Sequence, residues 1–264
     1  MRKRGQISIF ILFAVIILIS IGLLSYIKEG TGKEVEKSTE IPLDLAPVKN
    51  YFDTCIKTIG EDALVLFGLQ GGNLENFESQ NPSTLIIKTF FEEGKDVKPS
   101  KESLENSYSR YLETNLPTCL DNANFQGFDL NLDKVTVKTK FLDSSVDVKI
   151  NYPLTIRNEG SVTKIQSFDK KYPVRMGHIY DTALNIVNKL EQNPKYLDYS
   201  DLLAYEDNDF FIMPHNENLY VISVQDDKSI IRNTKYNFMF TLIFESNGED
   251  ETKKEIERMF GKYV

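Results

Sequence analysis

Between Ile7 and Ile27 the chain carries no charged residue, and its only polar ones are Ser8, Ser20, Ser25 and Tyr26. Wound as a helix at about 1.5 Å per residue, this stretch matches a hydrocarbon core of roughly 30 Å. Helices buried in soluble domains are usually shorter than about 18 uninterrupted apolar residues, so 7–27 reads as a single transmembrane helix. Ile7 and Ile27 bound this membrane anchor, and the lipid bilayer is the first expected partner. Arg2, Lys3 and Arg4 abut one end, and Lys28, Lys33 and Lys37 follow the other. A short basic tail stays inside, whereas a long downstream domain is translocated whatever its charge. The expectation is a single-pass cell-membrane protein with a cytoplasmic N-terminus and an extracellular domain. The run is longer than the roughly 7–15 apolar residues of a cleaved secretory signal. No Cys follows it closely, as a lipoprotein would require.

Immediately before the apolar run stands Arg4-Gly5-Gln6-Ile7-Ser8-Ile9. This resembles the class III signal peptide of archaeal type IV pilin-like proteins, over about 22 residues and none of the following domain. The resemblance implies cleavage by a prepilin-type peptidase at the bond matching Gly5–Gln6. It also implies other envelope or pilin-like proteins as partners, through the membrane helix or the ectodomain. Where the family carries a Glu at the fifth mature position, this chain has Phe10. A filament subunit built from it would lack that carboxylate.

Composition bounds the rest. With 41% apolar and 27% charged residues the chain can bury a core, and it is neither collagen-like, low-complexity nor multi-spanning. Two cysteines exclude a disulfide-dense scaffold, and two histidines exclude a site of three imidazoles. A net charge of −8 makes nucleic acid no partner.

The organisation reads as a basic leader (1–6), the transmembrane helix (7–27), a stalk (28–46), an ectodomain (47–248) and a charged helical tail (249–264). Pro47 suits a first helical turn. Val48, Tyr51, Phe52, Cys55, Ile56, Ile59, Ala63, Leu66 and Phe67 then recur at helical spacing until Gly68 and Gly71-Gly72. Leu85–Phe91 reads as a short strand and Gly94–Pro99 as a loop. Ser100 caps a second expected helix carrying Leu104, Tyr108, Tyr111, Leu112 and Leu116, broken at Pro117. From Phe125 the period becomes two, giving an antiparallel meander through Val135–Val137, Val146–Ile156 and Ser161–Phe168. A third helix runs from Met176 to Leu190 ahead of Pro194. Two strands follow, Leu219–Gln225 and Tyr236–Phe244. The expected fold class is α+β: a single N-terminal transmembrane helix, then an ectodomain with amphipathic helices packed on an antiparallel sheet.

Chemistry-bearing residues are few. Cys55 and Cys119 are an even pair on the oxidising side of a membrane, where a disulfide can form. Two buried free thiols are the alternative reading. His178 sits at a helix border and His215 in a loop, which suits surface roles. Glu206-Asp207-Asn208-Asp209 and Asp226-Asp227 are acidic clusters. Asp129-Asn131-Asp133 begins like a calcium loop, but Lys134 stands where glycine is needed and no Glu closes it, so a half-wet strand explains it. Gly68–Gly72 follows a helix and is a helix stop, not a phosphate loop. No nucleophile elbow, zincin or Walker pattern is present. The only Asn-x-Ser/Thr tripeptide, Asn81-Pro82-Ser83, is barred from glycosylation by its Pro. No catalytic, cofactor or metal residues are assigned, and no cofactor is expected. The expected function is a non-enzymatic, membrane-anchored extracellular binding or envelope/pilus-associated protein. A pilin-like filament subunit, or an ectoenzyme with an unrecognised acidic site, are the alternatives.

Overall fold

The computed structural model describes residues 45–74, 86–121, 123, 125, 127–158, 161–205, 207–216 and 218–245. The chain divides into the units Met1–Ala46 and Pro47–Val264. Apart from Ala46 itself, the described helices and strands all belong to the second unit. The leader 1–6 with its Gly5–Gln6 bond, the segment Ile7–Ile27, the stalk up to residue 44 and the tail 249–264 lie outside the described residues.

The order is α1 (Ala46–Leu69), β1 (Thr89–Glu92), β2 (Lys95–Asp96), α2 (Lys101–Asn115), α3 (Thr118–Asp121), β3 (Asp129–Leu132), β4 (Thr136–Phe141), β5 (Val146–Asn158), β6 (Ser161–Tyr172), α4 (Met176–Gln192), α5 (Tyr199–Leu202), β7 (Asn208–Pro214), β8 (Leu219–Ile231) and β9 (Thr234–Ile243). The class is α+β, but two parts of the expected fold are corrected. Among the described residues there are two sheets, and one is mixed: the five-stranded sheet runs β2-β1-β9-β8-β7, with β1 parallel to β9. A parallel pair needs a long crossover. Here that crossover contains the whole second sheet, which period-two patterning cannot reveal. Nor is any helix among the described residues long and apolar enough to cross a membrane. The longest, α1, carries Lys49, Asp53, Lys57, Glu61 and Asp62.

The second sheet centres on β5. One edge of β5 pairs with β4 over Val146–Asn151 and with β3 over Leu154–Arg157, and its other edge pairs with β6, all antiparallel. Phe67 of α1 joins the two sheets. Its ring lies 5.9 Å from Tyr108 of α2, 5.4 Å from Phe141 of β4 and 6.2 Å from Phe238 of β9. The inner face of the five-stranded sheet supplies Tyr220, Ile222, Val224, Tyr236, Phe238, Phe240 and Leu242 to the core, all buried. Against it stands the apolar stripe of α4: Met176, Ile179, Ala183, Ile186, Val187 and Leu190.

Helix α1 is held by three phenols. Tyr172 donates to the Ile56 carbonyl at 3.2 Å, Tyr108 to Gly60 at 2.8 Å and Tyr236 to Leu64 at 3.0 Å. The acceptors are four residues apart, so they lie on one face of the helix. The donors come from β6, α2 and β9, so the phenols tie α1 to both sheets. Burial pushes all three phenols well above their ordinary pKa. The helix then ends as the glycines indicate. Gly71 turns left-handed at φ 63°, its N–H reaches Gly68 O at 3.5 Å, and the N–H of Gly72 returns to Phe67 O at 2.8 Å. This closing pair satisfies carbonyls that the last turn would leave bare.

Helix α2 takes the place of a neighbouring strand. Its Ser100 cap accepts from the Ser103 N–H, as the sequence indicates. Glu105, Ser109 and Glu113 then accept the backbone N–H groups of Phe141 (2.9 Å), Thr139 (3.0 Å) and Val137 (2.7 Å). Four residues of helix rise about 6 Å and two residues of strand about 6.8 Å. The two spacings match closely enough for three successive bonds. The free edge of β4 is thereby closed.

Candidate functional site

Cys55 of α1 and Cys119 of α3 are bonded, with their Cα atoms 5.9 Å apart. The disulfide reading therefore holds over two free thiols. Cys119 is buried and Cys55 half-buried. The bond ties α1 to the end of the segment that carries α2.

The densest polar constellation lies where α4 meets a bulge in β8. Asp226 pairs with Tyr236 and continues the inward alternation of Tyr220, Ile222 and Val224, and the register of β8 against β9 shifts just beyond it, before Ile230. Its carboxylate is fully buried, and its bonds are made by three groups. Arg175, the residue before α4, grips both oxygens through Nε (3.0 Å) and Nη2. The Ser229 hydroxyl donates to Oδ2, and the Lys228 N–H reaches Oδ1 at 3.3 Å. Ser229 Oγ in turn accepts the Arg175 N–H at 2.8 Å. Burial alone would raise the Asp226 pKa; the Arg175 guanidinium and the Ser229 hydroxyl outweigh it and hold the carboxyl below the usual range. The hydrogen bond to Asp226 correspondingly raises Arg175. Asp207 completes the cluster, accepting Lys228 Nζ at 2.8 Å and Arg175 Nη1 at 3.4 Å. Lys228 holds its carboxyl below the ordinary value. With its oxygens committed to Arg175, Ser229 and Lys228, Asp226 serves as a clamp between helix and sheet. Sequence reasoning flags Asp207 and Asp226 in two acidic clusters but does not bring them together or find Arg175 and Ser229. The only signal is Asp226-Asp227-Lys228-Ser229 interrupting an apolar strand, which reads as the strand's end.

His178 Nε2 lies 3.3 Å from Asn208 Nδ2, and Asn208 Oδ1 is buried with no hydrogen-bond partner among the described residues. His215 sits in the β7–β8 turn, where its N–H bonds Leu219 O at 2.9 Å. Asp129 and Asn131 are ladder residues of β3, and Asp129 faces Arg157 at 3.4 Å. Among the described residues no group of His, Cys, Asp and Glu is arranged to hold a metal. A cavity of about 100 Å³ lies beside the last turns of α4, between Lys189, Leu190, Tyr196, Leu197, Leu202 and Tyr205. It is well below the ~300 Å³ at which sites for organic ligands begin.

The outer face of the five-stranded sheet is different. Its central rows mix polar and apolar residues: Gln225 Nε2 bonds Asn237 Oδ1 at 3.1 Å, Ser223 stands opposite Met239, and Val221 opposite Thr241. On the edge strand β7 two of its large apolar residues are exposed, Phe211 by 49% and Met213 by 42%. Exposed apolar side chains on an edge strand suit contact with another macromolecule. Set against known proteins, the chain matches no protein-family model, no curated protein and no solved structure.

Proposed function

We propose that the chain is a non-enzymatic binding or assembly protein of the cell surface, held at the membrane by its segment Ile7–Ile27. The observation that carries this reading is the Cys55–Cys119 bond. Disulfides persist in oxidising surroundings, which lie outside the cell membrane. The uncharged run behind Arg2-Lys3-Arg4 supports the same placement. The exposed apolar rim at Phe211 and Met213 supports a role in contact rather than in turnover. Partners on this reading are the bilayer and other envelope or pilin-like proteins.

One experiment tests placement and processing together. Protease added to intact cells should cut the region 47–248 of a membrane-bound chain, and mass spectrometry of the mature N-terminus should begin at Gln6. A fully protected region overturns the extracellular placement, and a chain found only in the soluble fraction overturns the anchor. A start at Met1, Arg2 or Lys3 removes the pilin-like leader.

A further inference from the structure

Most sheet edges among the described residues are blunted. Helix α2 closes β4 through Glu105, Ser109 and Glu113. The edge strands β2 and β3 have only two and four residues, and the edge strand β6 carries Lys164, Asp169, Lys170 and Lys171. Strand β7 is the exception: a seven-residue edge strand that pairs only with β8 and is rich in apolar residues. Such an edge is a template for another strand.

The hydrogen bonds fix which groups point outward. Asp207 O accepts from Asp227 N–H and His215 N–H bonds Leu219 O, so odd-numbered residues of this segment face β8. Phe210 and Ile212 therefore turn their N–H and C=O groups away from the sheet. The window ends on both sides. Pro214 has no N–H, and the N–H of Asn208 is taken by Tyr205 O at 3.2 Å.

We propose that this window pairs with the same window of a second copy, antiparallel about a two-fold axis at Phe211. The register follows from the chemistry. Phe210 of each copy exchanges both backbone bonds with Ile212 of the other, which gives four bonds. Phe211 then meets Phe211 in a non-hydrogen-bonded pair, where side chains approach most closely. Asp209 falls opposite Met213, so no carboxylate meets its own copy. Sliding the window by two residues one way would place Asp209 against Phe211, and sliding it either way would leave one of the outward carbonyls of Phe210 and Ile212 without a donor, since Pro214 has no N–H and that of Asn208 is taken. Self-pairing of one patch about a two-fold axis is the commonest closed assembly.

Cysteine cross-linking of the full-length chain tests the register, because Cys55 and Cys119 already occupy each other. Non-hydrogen-bonded antiparallel partners lie about 4.5 Å apart at Cα, within disulfide reach. Phe211→Cys should form a covalent dimer on mild oxidation. Asp209→Cys and Met213→Cys should each cross-link at least tenfold less alone, since two copies of residue 209 lie roughly 14 Å apart at about 3.4 Å per residue. Mixed together, these two variants should cross-link to each other. Ile212→Pro removes one outward N–H and spares the β8 ladder, so it should cut the Phe211→Cys dimer at least tenfold. Failure of the Asp209→Cys and Met213→Cys mixture to cross-link overturns the proposal. So does dimer formation by Asp209→Cys alone as readily as by Phe211→Cys.

Discussion

Gly60 is where α1 is most tightly constrained. A Cβ there would lie 1.9 Å from Tyr172 Oη and 2.4 Å from its ring carbon. Alanine is worth about 1 kcal/mol over glycine inside a helix, which favours the substitution. Against it stand roughly 1–3 kcal/mol of overpacking and about 1 kcal/mol for the Tyr172–Ile56 bond lost as the phenol moves aside. The steric side prevails, and Gly60→Ala is expected to destabilise the fold by about 2 kcal/mol. Urea unfolding followed by tyrosine fluorescence reads this directly, since the chain has no Trp. An unchanged or raised midpoint would mean that Tyr172 is free to withdraw. The sequence shows a glycine in the middle of an apolar stripe. It does not show the phenol that requires it, because the two are 112 residues apart.

At the scale of elements, the helices were legible and the rim of the large sheet was not. The stripes on α1, α2 and α4 repeat over three or more turns, so their period is unambiguous, and their limits fall within two residues of the expected ones. Strand β7 was hidden because Phe210-Phe211-Ile212-Met213 is an unbroken apolar run after acidic residues, with no alternation to read. The sequence pattern ends β8 at Gln225, yet the strand continues to Ile231 because Arg175 and Ser229 accommodate Asp226 in the interior. That clamp has a testable pH dependence. The carboxyl of Asp226 is held below its unfolded value, so its contribution is present above about pH 4 and fades as pH falls through the folded value. Arg175→Met leaves a buried carboxylate with only Ser229 and a backbone N–H, and should cost about 3 kcal/mol at neutral pH. Asp226→Asn should flatten the acid limb of the stability curve. Chemical denaturation between pH 3 and 7 checks both, and an acid limb identical to that of the parent chain in Asp226→Asn would remove Asp226 from it.

At the largest scale, two sheets and three longer helices among the described residues share one aromatic core, with Phe67 in contact with rings from α2, β4 and β9. Most of the buried apolar residues lie on the stripes and alternations visible in the sequence, whereas the buried Glu105 and Asp226 do not. How the sheets divide could not be read there, because the parallel β1–β9 pair joins residues some 150 positions apart and depends on everything folded between them. The disulfide acts at this scale. It closes a step of 64 residues, worth about 4 kcal/mol in the chain-entropy account. Cys55→Ser and Cys119→Ser should each lower stability by an amount of that order, and the double variant by no more than either single one. Thermal unfolding of the three variants against the parent decides it, and additive losses would mean that each cysteine contributes independently of the bond.

The same bond governs how tension would pass through the protein. A pull applied between Ala46 and the far end of the chain reaches Cys55 after nine residues and then crosses the sulfurs to Cys119. The segment between them, with most of α1, the hairpin β1–β2 and α2, is a mechanical bypass that carries none of the load. The contacts of Tyr172, Tyr108 and Tyr236 begin at Ile56, one residue beyond the entry to that bypass. They are spared as long as the bond is intact. Reduction would put them in series with the load and would release roughly 20 nm more contour at about 3.4 Å per residue. On the proposed cell-surface placement, the oxidised pair would set which part of the fold yields first under drag.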